Sequence, residues 1–193
     1  LFGPVNGSTW HQYRVVSDFG QRAPFASEPL AREHYYNWFK SKGPYNEISY
    51  YSGRRIKFDA ILNATCNSLR QLQSEGYVFK SVPLSDENLK QQIFQLSGLI
   101  FKDNWGFLEI TADEFSDLYR TNKIEKYMSD AAVVVHENRI VGFNISIKQG
   151  KCQIMKTMGV LPEYHGKGVG NALVCFVHEN AIQNGVEEII YAL

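Results

Sequence analysis

The chain has 193 residues, 44% hydrophobic and 21% charged, and its 20 basic residues balance its 20 acidic residues. This length is enough for one full domain, or for one domain and a fraction of another. The lack of a basic excess argues against a nucleic-acid or anionic-membrane partner, and no apolar run predicts a membrane span or a signal peptide. The three cysteines lack metal-ligand spacing, so we expect no metal site, core packing for Cys175 and a reducing, cytoplasmic setting.

The first part of the chain predicts a small mixed segment followed by a helix. The predicted elements are a strand end over residues 1–4, a turn at Asn6-Gly7, an aromatic-rich helix over residues 32–42, a strand over residues 45–52 and a helix over residues 57–75. The last of these helices has an apolar face that includes Cys66 and Leu69, and Gly76 ends it. We expect it to connect the first segment to the rest of the chain.

The middle of the chain predicts one strand, two helices and an antiparallel meander. The predicted elements are a strand over residues 77–82, a helix over residues 86–100, a helix over residues 115–123, and strands over residues 131–135, 139–148 and 151–160. Ser85 is the expected N-cap of the first helix. Thr111 and Glu114 have the spacing of a capping box for the second helix.

A glycine-rich loop follows the meander and opens the last predicted helix. Gly166, Gly168 and Gly170 alternate along the loop, the helix ends at Asn184-Gly185, and a strand is predicted over residues 186–193. Glycines let backbone N–H groups approach a ligand closely, and the start of a helix adds partial positive charge. The loop therefore predicts a phosphate or pyrophosphate site, although a tight strand–helix turn with no ligand has the same pattern.

The residues of this loop resemble a known motif. Val160-x-Pro162-x-x-His165-Gly166-x-Gly168-x-Gly170 is similar to the acyl-CoA-binding motif of the GNAT superfamily of N-acyltransferases, Val-x-Pro-x-x-Gln/Arg-Gly-x-Gly-x-Gly/Ala. His165 departs from that pattern, in which Gln or Arg is usual. The element order from residue 77 onward also resembles the GNAT fold from its first strand to its fifth. The resemblance implies an α/β fold with a mixed, mostly antiparallel sheet flanked by helices.

The resemblance also implies a domain organisation. Residues 1–56 would be the closing half of a degenerate first GNAT-like unit, residues 57–76 a helical connector, and residues 77–193 a GNAT-like acyl-CoA-binding domain truncated at its C-terminus. A single domain with permuted element order is the alternative, since the first segment supplies what the last one lacks. In either case we expect the first segment to pack beside the last sheet and to bury Tyr36, Phe39 and Tyr50.

The resemblance implies where the co-substrate and the acceptor bind. The residues expected to bind acetyl-CoA or another acyl-CoA are Met158, Gly159, Val160, His165, Gly166, Lys167, Gly168, Val169, Gly170 and Asn171. The residues expected to contact the acceptor are Asn104, Trp105 and Phe107. The sequence does not identify the catalytic residues, because each candidate also has an ordinary structural explanation. These candidates are His136, Glu163, Glu187, Glu188 and Tyr191.

The function implied is N-acyl transfer, most simply N-acetyl transfer, from acyl-CoA to the amine of a small molecule or a protein. The alternative is a catalytically inactive GNAT-like module that binds CoA or serves as an interaction domain. A tandem aminoacyl or peptidyl transferase of the cell-wall type is a third possibility, which the zero net charge disfavours because that class engages tRNA. The oligomeric state is not predicted.

Overall fold

The computed structural model describes residues 8–11, 14–18, 20, 22–28, 33–43, 46–119 and 129–192. The strand end predicted over residues 1–4, the turn at Asn6-Gly7 and the predicted helix end at residue 123 lie outside these ranges. Within them, no helix combines the length and apolar character needed to cross a membrane.

Five helices and six strands are described, and the strands form one sheet. The helices are α1 (Glu33–Lys40), α2 (Asp59–Ser74), α3 (Glu87–Phe101), α4 (Ala112–Leu118) and α5 (Val169–Gln183), and the strands are β1 (Gly53–Arg55), β2 (Val78–Pro83), β3 (Ser129–His136), β4 (Arg139–Gln149), β5 (Cys152–Val160) and β6 (Glu188–Tyr191). The strand order is β1-β6-β5-β4-β3-β2. All neighbours are antiparallel except β5 and β6. The predicted fold class, a mostly antiparallel mixed sheet flanked by helices, is confirmed.

Side-chain caps fix the starts of α3 and α4. The predicted cap Ser85 is wrong: the carboxylate of Asp86 accepts from the backbone N–H of Leu89 at 2.9 Å, because Asp86 is the extended residue at this helix start. The predicted capping box of α4 is confirmed. The Thr111 hydroxyl accepts from the backbone N–H of Glu114, and the Glu114 carboxylate accepts from the backbone N–H of Thr111 at 2.7 Å.

Helices cover both faces of the sheet. A Cβ added to Gly142 of β4 would lie 3.6 Å from Val169 of α5, whereas a Cβ added to Gly159 of β5 would lie 3.0 Å from Ile100 of α3. Gly159 pairs with Phe143, the residue after Gly142, and consecutive residues of a strand face opposite sides. Thus α5 and α3 lie on opposite faces, and the largest hydrophobic core cluster extends through the sheet.

The helix predicted as a connector packs against the last helix. Its buried residues Leu69 and Leu72 belong to the same core cluster as Leu173 of α5. The prediction for Cys175 is incomplete, since this fully buried residue forms a disulfide with Cys66 of α2, 109 residues away in the sequence. A sequence spacing of this length gives no signal for pairing.

The first segment joins the sheet through a shorter strand than predicted. The strand predicted over residues 45–52 is wrong, because residues 46–52 have no regular structure and β1 pairs with β6 through residues 53–55. The expected burial of Tyr50 is also wrong: it is 52% exposed and stacks on the Arg14 guanidinium. Tyr36 and Phe39 are half-buried and lie outside both hydrophobic core clusters of the described residues.

Candidate functional site

The glycine loop leaves the end of β5 and turns directly into α5. The backbone N–H of Leu161 donates to Val141 at 2.9 Å, and a single 3-10 turn over Pro162–Tyr164 reverses the chain. Gly166 and Gly168 have φ values of +75° and +81°, the left-handed region that side-chain-bearing residues rarely adopt. Gly168 is the N-cap of α5 and provides no side-chain acceptor, so the first turn of the helix is open.

The open turn presents a row of backbone donors. The first helical N–H with a partner is that of Ala172, which donates to Gly168 at 2.9 Å. In the part of the chain that the structure describes, no acceptor meets the N–H groups of Gly166 or of residues 168–171. Such donors, at the positive end of a 15-residue helix, form a site for an anionic group.

Two side chains of the loop have partners within the loop and the strand before it. His165 Nε2 lies 2.9 Å from the carbonyl oxygen of Val160, so this nitrogen carries the proton and donates it. The Lys167 ammonium lies 4.9 Å from the ring centroid of Tyr164. The backbone of the loop, rather than these side chains, therefore forms the anion site in this structure.

The edge of β5 beyond Met155 leads to the loop. The parallel pairing of β5 and β6 ends at Met155 and Tyr191, and the last bond on this edge runs from the N–H of Ala192 to Met155. Beyond it, residues 157–160 pair with β4 alone among the described strands. A cavity of about 310 Å³ lies at this edge, and it is lined by Met158, Gly159, Val160, Tyr164, His165, Gly166, Gly168, Val169 and Gly170.

These cavity-lining residues include eight of the ten predicted from the sequence for acyl-CoA binding. Lys167 and Asn171 lie beside them on the exposed side of the loop. Tyr164 lines the cavity although the sequence did not single it out. It occupies a variable position of the motif, so the motif carried no signal for it.

The part of the chain that contains the glycine loop is similar to known proteins. Residues 129–192 match the family model of the acetyltransferase (GNAT) domain. This match covers about a third of the chain and shows that the region is similar to GNAT domains. No curated protein matches the chain.

Solved structures resemble the chain at low sequence identity. The C-terminal domain of a putative lysylphosphatidylglycerol synthetase from Agrobacterium fabrum has a TM-score of 0.54 at 13% identity, over 74% of this chain and 48% of that one, and shares the fold. An aminoglycoside acetyltransferase from an uncultured soil metagenomic sample, in complex with sisomicin, has a TM-score of 0.47 at 18% identity, over 61% of this chain and 76% of that one. PaiA N-acetyltransferase from Thermoplasma acidophilum, in complex with coenzyme A, has a TM-score of 0.42 at 11% identity, over 56% of this chain and 75% of that one.

The predicted acceptor residues lie on the loop that joins α3 to α4. Asn104 and Trp105 are exposed, Trp105 by 53%. The ring of Phe107 instead packs at 5.8 Å on Trp10, whose indole N–H donates to Leu108 at 3.0 Å. Phe107 therefore anchors this loop to the first segment, while Asn104 and Trp105 are exposed.

The three carboxylates considered as catalytic bases bind surface cations. Glu163 pairs with Arg139 at 3.2 Å, and Glu187 pairs with Lys151 at 2.5 Å. Glu188 is held between the guanidinium groups of Arg22 and Arg54. None of the three carboxylates is among the residues that line the cavity.

Tyr191, which pairs with Met155 of β5, belongs to a chain of hydrogen-bonded polar side chains. Its hydroxyl lies 2.7 Å from Nε2 of His178 and accepts from Nε of Arg55 at 3.1 Å. His178 is fully buried, and its Nδ1 donates to the carbonyl oxygen of Val174 at 2.8 Å, so Nε2 accepts from the Tyr191 hydroxyl. Burial lowers the pKa of the His178 imidazole, which favours this neutral form.

His136 has a packing role. Its ring stacks on Tyr77 at 3.9 Å between centroids, and its Nδ1 lies 3.3 Å from the hydroxyl of Tyr164. Through Tyr164 it supports one wall of the cavity. His136 itself is not among the residues that line the cavity.

Lys156 is a candidate functional residue that the sequence reasoning missed. It is the extra residue of a bulge in β5, because Ile145 pairs with Thr157 while the next residue of β4, Ser146, pairs with Met155. The Lys156 ammonium lies 5.2 Å from the ring centroid of Tyr119, and burial lowers its pKa. A lysine in the middle of a predicted strand gives no signal of either property.

One group of side chains has the composition of a metal site. Cys66, Cys175 and Glu179 bring ligand atoms within 4.8 Å of one another. Both sulfurs are bonded to each other, so neither is a thiolate able to bind a metal ion in this state.

Proposed function

We propose that the GNAT domain binds acyl-CoA, with acetyl-CoA as the first candidate, and transfers the acyl group to an amine. The observation that carries this proposal is the row of unpaired N–H groups at the start of α5, beside the open edge of β5. A pyrophosphate is a doubly charged acceptor that fits such a row. The predicted co-substrate residues and the residues that line the cavity largely coincide, which supports the same assignment.

The unpaired edge at the end of β5 is the proposed binding surface for the pantetheine arm of the co-substrate. Residues 158–160 of β5 offer one strand edge that no described strand occupies, and a pantetheine arm carries amide groups able to pair with such an edge. A backbone N–H of this edge would polarise the thioester carbonyl. The accessible residues Asn104 and Trp105 are then the proposed acceptor contacts, and a small-molecule or protein amine is the proposed acceptor.

Calorimetry with CoA and acetyl-CoA tests the binding site through a pair of matched variants. Gly168→Ala places a side chain at a φ of +81° in the loop, and Gly185→Ala places one at +69° just after the other end of α5. Each substitution should destabilise the fold by about 1–2 kcal/mol, since each forces a left-handed conformation on alanine. We expect Gly168→Ala alone to weaken CoA binding, because it reshapes the row of donors.

Equal CoA affinities for the two variants would overturn the assignment of the loop. Catalysis needs a second measurement, the release of free CoA thiol from acetyl-CoA in the presence of a panel of amines. Tight CoA binding without thiol release on any amine would favour the alternative, a GNAT-like module that binds CoA and has no transferase activity.

A further inference from the structure

Cys66, Cys175 and Glu179 form a cluster of three metal-binding side chains where α2 packs on α5. Cys175 and Glu179 are four residues apart on α5, which places them on the same face of the helix. Cys66 reaches them from α2, and the two sulfurs and a Glu179 carboxylate oxygen lie within 4.8 Å of one another. No sequence motif marks this cluster, because its two cysteines are separated by 109 residues.

The distances within this cluster are close to those of a zinc site. With zinc–ligand bonds of about 2.0–2.3 Å, the ligand atoms of a tetrahedral site lie about 3.3–3.8 Å apart. A movement of about 1 Å by the half-buried Glu179 side chain therefore brings its oxygen into this range. Among the described residues, no hydrogen bond or ion pair engages the Glu179 carboxylate, so it is able to bind a cation.

A cavity of about 330 Å³ beside the cluster gives a metal ion a path to the sulfurs. Cys66 and Glu179 line it together with Asn63 and Asn67, whose side-chain amides can hold water. A water molecule from this cavity supplies the fourth ligand of a tetrahedral zinc ion. Zinc with two thiolates and one carboxylate carries a single net negative charge, which the guanidinium of Arg70, in the same cavity, offsets.

We propose that Cys66, Cys175 and Glu179 bind one Zn²⁺ ion when the disulfide is reduced, so that the metal ion replaces the covalent bond as the link between α2 and α5. A dithiol reductant supplies the two electrons and two protons that convert the disulfide to two thiols, and the reductant is itself oxidised to a disulfide. Zinc binding then releases both thiol protons to solvent and forms two Zn–S bonds and one Zn–O bond. This inference does not depend on the proposed function.

Metal titration of the reduced protein tests the proposal. The chain is reduced with a dithiol, freed of it under nitrogen, and titrated with Zn²⁺ against a chromophoric chelator. One zinc ion should bind per reduced chain, and none should bind where the disulfide is intact. Co²⁺ in place of Zn²⁺ should give a thiolate-to-cobalt charge-transfer band, and zinc should raise the urea midpoint of the reduced protein.

A pair of carboxylate variants tests the third ligand without removing the cysteines. Glu179→Gln should weaken zinc binding by about tenfold or more, because loss of even an outer partner of a metal ligand costs about 10–100-fold in affinity. Glu75→Gln changes an exposed carboxylate at the C-terminal end of the same helix as Cys66 and should bind zinc as the unmodified protein does. Cys152→Ser should also retain the site, since Cys152 is the free cysteine outside the cluster.

Three results would overturn the inference. The absence of saturable zinc binding by the reduced protein would refute it outright. Equal zinc affinity in Glu179→Gln and Glu75→Gln would exclude the carboxylate as a ligand. Equal binding by the oxidised protein, or by Cys66→Ser, would show that the ion binds elsewhere on the chain.

Discussion

The disulfide between Cys66 and Cys175 makes a large and measurable contribution to stability. It joins α2 to α5 and closes a loop with a sequence separation of 109 residues. In the chain-entropy account, a crosslink closing a loop of about 100 residues stabilises the native state by about 4.7 kcal/mol, because it restricts the unfolded chain. Reduction should therefore lower the free energy of unfolding by an amount of this order, a large fraction of the stability of a typical domain.

Urea unfolding with and without a phosphine reductant measures this contribution directly. Cys152→Ser is the matched control, since Cys152 is the free cysteine and its replacement should leave the effect of the reductant unchanged. Thiol titration of the unfolded, unreduced protein gives an independent count, with one reactive thiol expected. Three thiols, or superimposable unfolding curves, would show that the two sulfurs are not bonded and would refute the reasoning.

Two further predictions concern His178 and Gly159. Burial holds the pKa of His178 below its ordinary value of 6.5, so its contribution to stability is present above that value and is lost as the pH falls toward its folded-state pKa. Through His178 the free energy of unfolding should fall by at most about 1.4 kcal/mol for each pH unit below 6.5. Urea unfolding at several pH values below 6.5 should show a weaker pH dependence of this free energy in His178→Gln than in the unmodified protein. The same pH dependence in both proteins would contradict the prediction. Gly159→Ala should lower the free energy of unfolding by about 1–3 kcal/mol, because the added Cβ would lie 3.0–3.2 Å from atoms of Ile100 and Phe101. Unchanged thermal stability of this variant would show that α3 shifts to accommodate the methyl group and would refute the prediction.

The sequence predicted most of the site because the site is local. The loop, the strand before it and the helix after it are contiguous from residue 153 to residue 183, so their glycines, turn residues and apolar periodicity describe one connected structure. The capping box at Thr111 was predicted for the same reason, since both of its members lie within four residues.

Features that depend on distant residues were not predicted. The partner of Cys175 is Cys66, and the partners of Tyr191 are Arg55 and His178 on separate elements. Lys156 becomes a bulge residue only through the register of β4, which alternating hydrophobicity does not fix to a single residue. Phe107 was assigned to the acceptor because its packing partner, Trp10, lies 97 positions earlier in the sequence.

The position of the early elements in the sheet bears on the two domain organisations left open by the sequence. β1 pairs with the outer edge of β6, and α2 packs along α5, although both elements precede β2 in the chain. A Cβ added to Gly168 would lie 3.4 Å from the hydroxyl of Ser68, so α2 also supports the glycine loop. An element from the first half of the chain, α2, thus lies against the candidate site, and β1 extends the sheet beside β6. We therefore propose a single domain with permuted element order, in which β1 and α2 share the sheet and the core of the later elements.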